Sequence, residues 1–444
     1  MADADALEAK LEDKTAVIGV LGLGYVGLPL AREFAESGFT VLGFDTDPAK
    51  VTRLEQGDSY IQAVPTPVLV ELRSAGRFSA TGDFSRLAEV DAMLICVPTP
   101  LDSNREPDMS YIEATGRTIG DRLREGQLVV LESTTWPGTT RDFLAPILET
   151  RSGLERGRDF FIGYSPEREN PGDARWRTRD IPKVVGADDP GSAKVTQALY
   201  RGVVTQVVPV SSSLVAEASK LLENIYRAVN IALVNELKVL FERMGIDVFE
   251  VIGASKTKPF GFKAFYPGPG LGGHCIPIDP FYLSWKAREF EMSTRFIELA
   301  GEINTGMPRY VIERCQLALN AQKKAVNGSR ILVLGVAYKE DVDDLRESPA
   351  LAIIDGLREL GADVCYHDPH IPTLPRTRRH NCEGLASVAL DAETLATIDL
   401  ALVVTNHRAV ELEPVIAAVP GLVDTRNATA GVSDPALMAK ITRA

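Results

Sequence analysis

The sequence predicts an α/β chain: two doubly wound parallel-sheet domains joined by a helical middle domain with one long central helix. Three observations predict it. Short apolar runs alternate with helical stretches at both ends of the chain, a helix-period stripe runs unbroken through 214–240, and a glycine loop follows the first apolar run. The implied organisation is an N-terminal tail at 1–14, a first sheet domain at 15–210, a helical domain at 211–322 and a second sheet domain at 323–444.

Residues 15–21 are short and apolar, as a buried parallel strand requires. Gly22-Leu23-Gly24-Tyr25-Val26-Gly27 follows and opens a helical stretch at 28–37, which Gly38 closes. The next strand, 40–44, ends at Asp45, and later strands fall at 91–97, 127–131, 160–164 and 203–208. Leu214, Leu221, Ile225, Val229, Leu233 and Leu240 then recur at helical spacing, which predicts one helix over 212–244, capped by the serines at 211–213 and ended by Gly245. Further helices follow at 247–254, 281–290 and 296–321. The alternation restarts with strands at 330–335, 362–367, 400–405 and 421–424 and a helix at 349–360. Both outer units therefore read as Rossmann-like. In the second, Gly335-Val336-Ala337-Tyr338-Lys339 stands where the first has its glycine loop but lacks the second and third glycines, so it is expected to hold a phosphate compound other than a dinucleotide.

Composition narrows the chemistry. The 444 residues are 45% hydrophobic and 25% charged, ordinary for a globular chain of several domains. No apolar run reaches the roughly 18 residues of a membrane span, and 1–14 has no signal-peptide core, so a cytoplasmic protein without membrane insertion is expected. Five scattered cysteines and five histidines show no disulfide or metal-ligand spacing, so no metal is expected. A net charge of −13 argues against nucleic acid.

The glycine loop follows a strand, opens a helix and has Asp45 at the tip of the second strand. That context suits a dinucleotide whose pyrophosphate meets the helix N-terminus and whose ribose hydroxyls meet the acid, favouring NAD over NADP, although Lys50 nearby could tolerate a 2′-phosphate. Val97-Pro98-Thr99-Pro100 and Glu132-Ser133-Thr134-Thr135 lie at carboxyl ends of strands, where open sheets bind ligands; ordinary strand-to-helix turns are the alternative. Ser165-Pro166-Glu167 carries an acid able to serve as base or hold a water, or merely a solvated loop charge. Lys220 and Asn224 share one helix face and could meet an anion or oxyanion, or only solvent. Cys275 sits on a special-backbone loop, 267–273, beside His274 and Asp279, which favours a nucleophilic thiolate over a core filler; Cys96 and Cys365, inside apolar strands, read as fillers. Lys339 and Arg346, among Asp341, Asp343 and Asp344, supply local positive charge suited to a diphosphate.

Together these residues, from 17 to 424 and in consistent order, resemble the UDP-glucose/GDP-mannose dehydrogenase family. Arg105-Glu-Pro-Asp-Met-Ser110, Glu132-Ser-Thr-Thr-Trp-Pro-Gly-Thr-Thr140, Lys220-Leu-Leu-Glu-Asn-Ile225 and Lys258-Pro-Phe-Gly-Phe262 read like its members that oxidise UDP-N-acetylglucosamine for bacterial surface polysaccharides. The resemblance implies a four-electron oxidation of a nucleotide sugar at C6 with two NAD, through a Cys275 thiohemiacetal and thioester. It implies oxyanion stabilisation by Lys220 and Asn224, orientation of the thiol or a water by Asp279, a water held by Thr134, and hydrolysis served by Glu167. NAD would be bound by Gly22, Gly24, Tyr25, Val26, Gly27, Asp45, Lys50, Pro98, Thr99, Thr134 and Arg346. The nucleotide sugar, a UDP-N-acetylhexosamine, would meet Glu167, Lys220, Asn224, Phe265, Tyr266, Gly272 and Lys339. The long helix would mediate a homodimer or higher homo-oligomer. One departure is Pro171, where some members carry a second Glu, leaving Glu169 as the nearest substitute. UDP-N-acetylmannosamine, UDP-glucose and GDP-mannose stay open as substrates, as do a two-electron dehydrogenase and a binding-only relative.

Overall fold

The computed structural model describes residues 2–102, 106–168, 177–273, 276–377 and 379–444. The chain divides into two compact units, Met1–Glu223 with Phe281–Met292, and Asn224–Pro280 with Ser293–Ala444. Each holds a Rossmann-like sheet, and the helical middle region contributes to both.

In the first unit the strands are β1 (Val17–Leu21), β2 (Thr40–Phe44), β3 (Phe78–Thr81), β4 (Ala92–Ile95), β5 (Leu128–Leu131), β6 (Phe161–Tyr164), β7 (Lys183–Gly186) and β8 (Val207–Val210). They order 3-2-1-4-5-6-7-8. Pairing is parallel except at β6–β7, where Tyr164 faces Gly186 antiparallel, so one join departs from the expected all-parallel sheet. Successive residues of the central strands enter different cores because side chains alternate across a strand. Ala92, Leu94, Leu128 and Val130 pack with Leu28, Phe34 and Leu199 on one face. Met93, Ile95, Val129 and Leu131 pack with Ile112, Ile119 and Leu148 on the other. Two covered faces explain why these strands read as continuous apolar runs. The N-terminus, expected to be a tail, forms a helix at Ala4–Glu12: Asp3 caps it and Leu7 and Leu11, one turn apart, are buried.

The long helix, Ser213–Arg243, runs as the apolar stripe predicts, and Ser212 Oγ accepts the Val215 N–H at 3.3 Å near its start. Val248–Ser255 follows, its Asp247 cap accepting the Phe249 N–H at 2.8 Å. The helix Arg295–Ala321 continues through Pro308.

In the second unit β9 (Arg330–Leu334), β10 (Asp363–His367), β11 (Leu400–Val403), β12 (Leu422–Asp424) and β13 (Ile441–Arg443) order 10-9-11-12-13, all parallel. Ile331 and Val333 enter one core and Leu332 and Leu334 the other, so this sheet too is covered on both faces. Among the described residues no helix is long and apolar enough to cross a membrane.

Candidate active site

The first turn of the first sheet is shaped by three glycines with different duties. Gly22 takes φ 91°, and a Cβ there would stand 2.7 Å from the Cys96 carbonyl oxygen. Gly27 begins the helix Gly27–Glu36 so close to the loop that a Cβ would meet the Gly22 oxygen at 1.8 Å. A Cβ on Gly24 would meet nothing within 4 Å, so that position leaves open space over the loop. Among the described residues no side chain caps the helix at Val26; Leu28 N donates to the Gly24 carbonyl at 3.1 Å and Pro29 has no N–H, so of the first three positions the Gly27 amide is the one left for a ligand. Asp45 is buried at the tip of β2, where it accepts the Leu23 N–H and the Asp47 N–H at 2.9 Å each, with Lys50 Nζ 3.6 Å away.

Along the carboxyl edge of the same sheet, Thr99 is buried next to exposed Pro98 and donates to the Thr134 carbonyl at 2.9 Å. That bond ties the β4 and β5 exits together, and the Tyr282 hydroxyl donates to the Thr99 carbonyl from the helix Asp279–Ala287. Beneath them lies a group that the sequence pattern does not reveal. Glu132 is fully buried, 2.6 Å from Lys183 Nζ, and the Tyr200 hydroxyl donates to its other oxygen. Burial pushes the Glu132 carboxyl up, against the pull of Lys183. Lys183 also donates to the Pro166 carbonyl at 3.1 Å, which fixes the loop of Glu167. Removing one partner of such a buried pair costs about 3–5 kcal/mol, because the other charge is left bare. Lys220, itself buried, donates to the Glu167 carbonyl and lies 3.3 Å from its carboxylate. One cavity is lined by Val26 and Leu30 of the glycine-loop helix together with Glu132, Glu167, Ile181 and Lys183. Glu217, one turn before Lys220, accepts from Gly138 N, Thr140 N and Thr140 Oγ1 at 2.6–2.8 Å, and its burial pushes the carboxyl up to about 7.

In the second unit Asn224 and Asp279 are both buried, and the Asn224 Nδ2 donates to Asp279 Oδ2 at 2.5 Å. Arg227 donates to the Asn224 carboxamide oxygen, which fixes the amide's orientation. The loop after 263 is held from below: Gly268 N donates to Asn235 Oδ1 at 2.9 Å, and Asn235 donates to Asn304 Oδ1 at 2.9 Å. Phe265 packs against the Val234, Val248 and Ile252 core and meets Tyr226 edge-on at 5.6 Å, while Tyr266 is exposed. Gly272 and Gly273 lie against Tyr338, where a Cβ would stand 2.7 and 3.0 Å from that side chain, and Gly273 N donates to the Arg346 carbonyl at 2.8 Å. The step before the thiol is thus pinned to the loop of Lys339 and Arg346. Cys275 and His274 lie outside the described residues, as do Arg105, Glu169 and Pro171. The described cysteines, 96, 315, 365 and 382, are all buried. Lys339 is half-buried, and the Arg346 guanidinium grips both oxygens of Asp344 at 2.6 and 3.0 Å, so the Arg346 part of the positive charge expected there is met within the loop.

Asp341, His370 and His407 bring a ligand atom each within 4.8 Å of one another. His407 has no lone pair open to an ion, since Nδ1 accepts the Asp341 N–H at 3.0 Å and Nε2 donates to Asp368 at 3.0 Å.

Three family models match in series: the NAD-binding domain of the UDP-glucose/GDP-mannose dehydrogenase family over 16–204, its central domain over 214–306 and its UDP-binding domain over 332–431. The chain belongs to that family. It is 39% identical over 360 residues to UDP-N-acetyl-D-glucosamine 6-dehydrogenase of Pseudomonas aeruginosa, covering 81% of this chain and 84% of that one. It is 34% identical over 407 residues to UDP-N-acetyl-D-mannosamine dehydrogenase of Escherichia coli K12, covering 88% and 94%. A solved structure of the UDP-D-ManNAc dehydrogenase from Pyrococcus horikoshii matches with TM-score 0.87 at 32% identity, over 96% of this chain and 98% of that one.

As a family member the chain is an NAD-dependent nucleotide-sugar 6-dehydrogenase. The first turn fits that cofactor: the space over Gly24, the uncapped helix at Val26 and the strand-tip carboxylate of Asp45 are what a pyrophosphate and a ribose require. Within the first unit the dehydrogenase joins Thr99 to Thr134 and Glu167 to Lys220; within the second it joins Asn224 to Asp279 and the Gly272 loop to Arg346. Lys183, Glu217, Arg426 and His407 are not marked by any motif. Arg426, whose guanidinium would stand 2.4 Å from a Cβ at Gly268, looks in the sequence like any loop cation, although Asp424-Thr425-Arg426 at a strand end is a usable signal.

Proposed function

We propose that the chain oxidises the C6 hydroxyl of UDP-N-acetylglucosamine to the carboxylate, giving UDP-N-acetylglucosaminuronic acid for a bacterial surface polysaccharide. The overall balance is one alcohol, one water and two NAD+ to one carboxylate, two NADH and three protons. The bound NAD supplies the hydride acceptor for each two-electron step. Cys275 attacks the intermediate aldehyde to form a thiohemiacetal, whose oxidation gives a thioester that water cleaves. Lys220 and Asn224, one turn apart on one helix, stabilise the oxyanion, and preorganised donors of this kind contribute about 3–4 kcal/mol each. Thr134 holds the attacking water, Glu167 serves the hydrolysis, and Asp279 orients the thiol or the water. Phe265, Tyr266, Gly272 and Lys339 hold the nucleotide sugar, and Arg346 meets sugar and cofactor.

The observation that carries this reading is the buried Asn224–Asp279 pair: a carboxylate four residues beyond Cys275, with its carboxamide partner on the same helix as Lys220. The identity to the Pseudomonas enzyme supports the glucosamine substrate. A second sugar, UDP-N-acetylmannosamine, is favoured by the Escherichia and Pyrococcus relatives. Exposed Leu222, Leu233 and Leu240 on the long helix support a homodimer.

The test counts NADH formed per sugar and weighs the product by mass spectrometry. Two NADH and the uronic acid are expected from wild type, and neither from Cys275→Ala. The same stoichiometry in both would remove the thioester route. Turnover of UDP-N-acetylmannosamine but not UDP-N-acetylglucosamine would replace the substrate.

A further inference from the structure

The loop 335–346 has no regular secondary structure, yet two of its neighbourhoods are tightly specified. Asp341 takes φ 56° and Glu347 φ 50°, left-handed conformations that non-glycine residues adopt only where the surroundings hold them. The hydrogen bonds that hold this stretch come from a short segment at the exit of β11, and His370 Nε2, after β10, stands 4.0 Å from the Asp341 carboxylate. Thr405 Oγ1 donates to the Ala337 carbonyl at 2.6 Å, His407 Nδ1 accepts the Asp341 N–H at 3.0 Å, and Arg408 N donates to the Asp341 carboxylate at 3.0 Å. Of these residues His407 is fully buried, and its other nitrogen is anchored to Asp368 at 3.0 Å. Asp368 is in turn fixed by the N–H groups of Val336 and His370, at 2.7 and 2.8 Å. Burial pushes the Asp368 carboxyl up, but the His407 and backbone hydrogen bonds outweigh it and hold it below the ordinary value, so it accepts the His407 Nε2–H as a carboxylate.

The held loop then supports the reacting group. Tyr338 N donates to the Asp344 carbonyl at 2.9 Å, its Cβ backs Gly272 and its ring backs Gly273, and the Arg346 carbonyl receives the Gly273 N–H at 2.8 Å. Lys339 lies between Tyr338 and Asp341, inside the gripped span. We propose that His407 is a positioning residue for the oxidation: by accepting the Asp341 N–H it sets the 337–346 loop, and through it both Lys339 and the Gly272-Gly273 step that delivers Cys275. The inference rests on the proposed roles of Lys339 and Cys275. His407 needs no contact with sugar or cofactor; it acts through the loop.

Two amide substitutions separate its two bonds. The side-chain oxygen of His407→Asn reaches the place of Nδ1 and can accept the Asp341 N–H, whereas His407→Gln reaches the place of Nε2 and can only keep the anchor to Asp368. Three quantities are read for the whole enzyme: kcat and KM for UDP-N-acetylglucosamine, the rate of Cys275 carbamidomethylation by iodoacetamide followed by peptide mass spectrometry, and Tm. His407→Ala is expected to lower kcat/KM about tenfold, with KM rising as Lys339 loosens. Cys275 alkylation in that variant should be about threefold faster as its loop opens locally. His407→Asn should recover most of both changes and His407→Gln should not. Equal behaviour of the Asn and Gln variants, or a fall in Tm alone with kcat/KM and alkylation unmoved, overturns the proposal. Alkylation needs no turnover, so a Cys275→Ala enzyme that still makes two NADH per sugar would sink the thioester reading while leaving the alkylation order of the His407 variants to judge this one.

Discussion

Gly22 and Gly335 turn the chain in the same way at the start of the two sheets. Gly22 takes φ 91° and donates to the Phe44 carbonyl at 2.8 Å; Gly335 takes φ 79° and donates to the His367 carbonyl at 2.9 Å. Each turn is bound to a strand-tip acid, Asp45 accepting from Leu23 N at 2.9 Å and Asp368 from Val336 N at 2.7 Å. The far ends of the strands match too. Asp91 exchanges hydrogen bonds with the backbone of Val17, and Asp399 with that of Arg330. The two units part company just after the turn. Where the first unit has Gly24 and Gly27, the second has Ala337 and Glu340, and Asp368 holds His407 at 3.0 Å where Asp45 has Lys50 at 3.6 Å. One glycine and one acid therefore suffice to build the turn, while a dinucleotide also needs empty space above it and a strand-tip carboxylate not taken up by a histidine. The second unit keeps the scaffold and uses the acid to hold a loop.

The largest effect should come from closing the contact unique to the first unit. In Gly27→Ala the added methyl would lie 1.8 Å from the Gly22 oxygen, so helix and loop must part. Overpacking of this kind costs about 3 kcal/mol, and NAD binding, followed by titration calorimetry, should fall below detection. Glu340→Ala at the matching place should leave the NAD affinity as it was. Wild-type affinity in Gly27→Ala would mean that the helix start is not where the pyrophosphate sits.

The two strand-tip acids should fail differently. Asp45→Asn removes a charged acceptor from the ribose and should weaken NAD by about 1.5–3 kcal/mol, roughly ten- to a hundredfold. Asp368→Asn should leave the NAD affinity alone and lower stability by about 2 kcal/mol, since a buried histidine and the four amides of Val336, Ala337, His370 and Ile371 lose their carboxylate. That stability carries a pH signature. Asp368 is held below its ordinary 3.8 in the folded chain, so the unfolded chain binds the proton more readily near that pH. The carboxylate's contribution is complete above the unfolded value and is lost as pH falls through the folded one, so the gap between wild type and Asp368→Asn in urea titrations should begin to narrow at about pH 4 and close further into acid. A gap that stays constant into acid would assign the loss to packing rather than to the charge.

Much of this comparison is legible in the sequence, because both sheets bury two faces and their strands are runs of apolar residues between turn signals. The bounds expected for β2 are the observed ones. β3, Phe-Ser-Ala-Thr, and β7, Lys-Val-Val-Gly, escape because four residues with small or charged members carry no run. The N-terminal helix escapes because Leu7 and Leu11 are its only buried residues, too few for a stripe. Residues that act from one motif, such as Gly22, Asp45, Thr134, Lys220 and Asp279, can be named from spacing and resemblance. Residues that act by tertiary hydrogen bonds cannot: Lys183 meets Glu132 across 51 positions and His407 meets Asp341 across 66. Nothing local marks either, since a lysine opening a strand and a histidine after one are ordinary.

The smallest expected effect is the sharpest test of what separates the two turns. Gly24→Ala places in the NAD loop the residue that the second unit has at Ala337. The added methyl would meet no protein atom within 4 Å, so the fold gives it room and Tm should move by less than about 1 °C. The methyl instead occupies the space through which the pyrophosphate reaches the backbone, and the NAD Kd should rise about tenfold, the equivalent of 1.4 kcal/mol. Two results would break the comparison. An unchanged Kd would show that the space above Gly24 is not used by the cofactor, and the difference between the two turns would then have to lie with Glu340 and His407. A Tm fall as large as that of Gly27→Ala would show that Gly24 serves the turn itself, in which case Ala337 could not have replaced it without a compensating change elsewhere in the second loop.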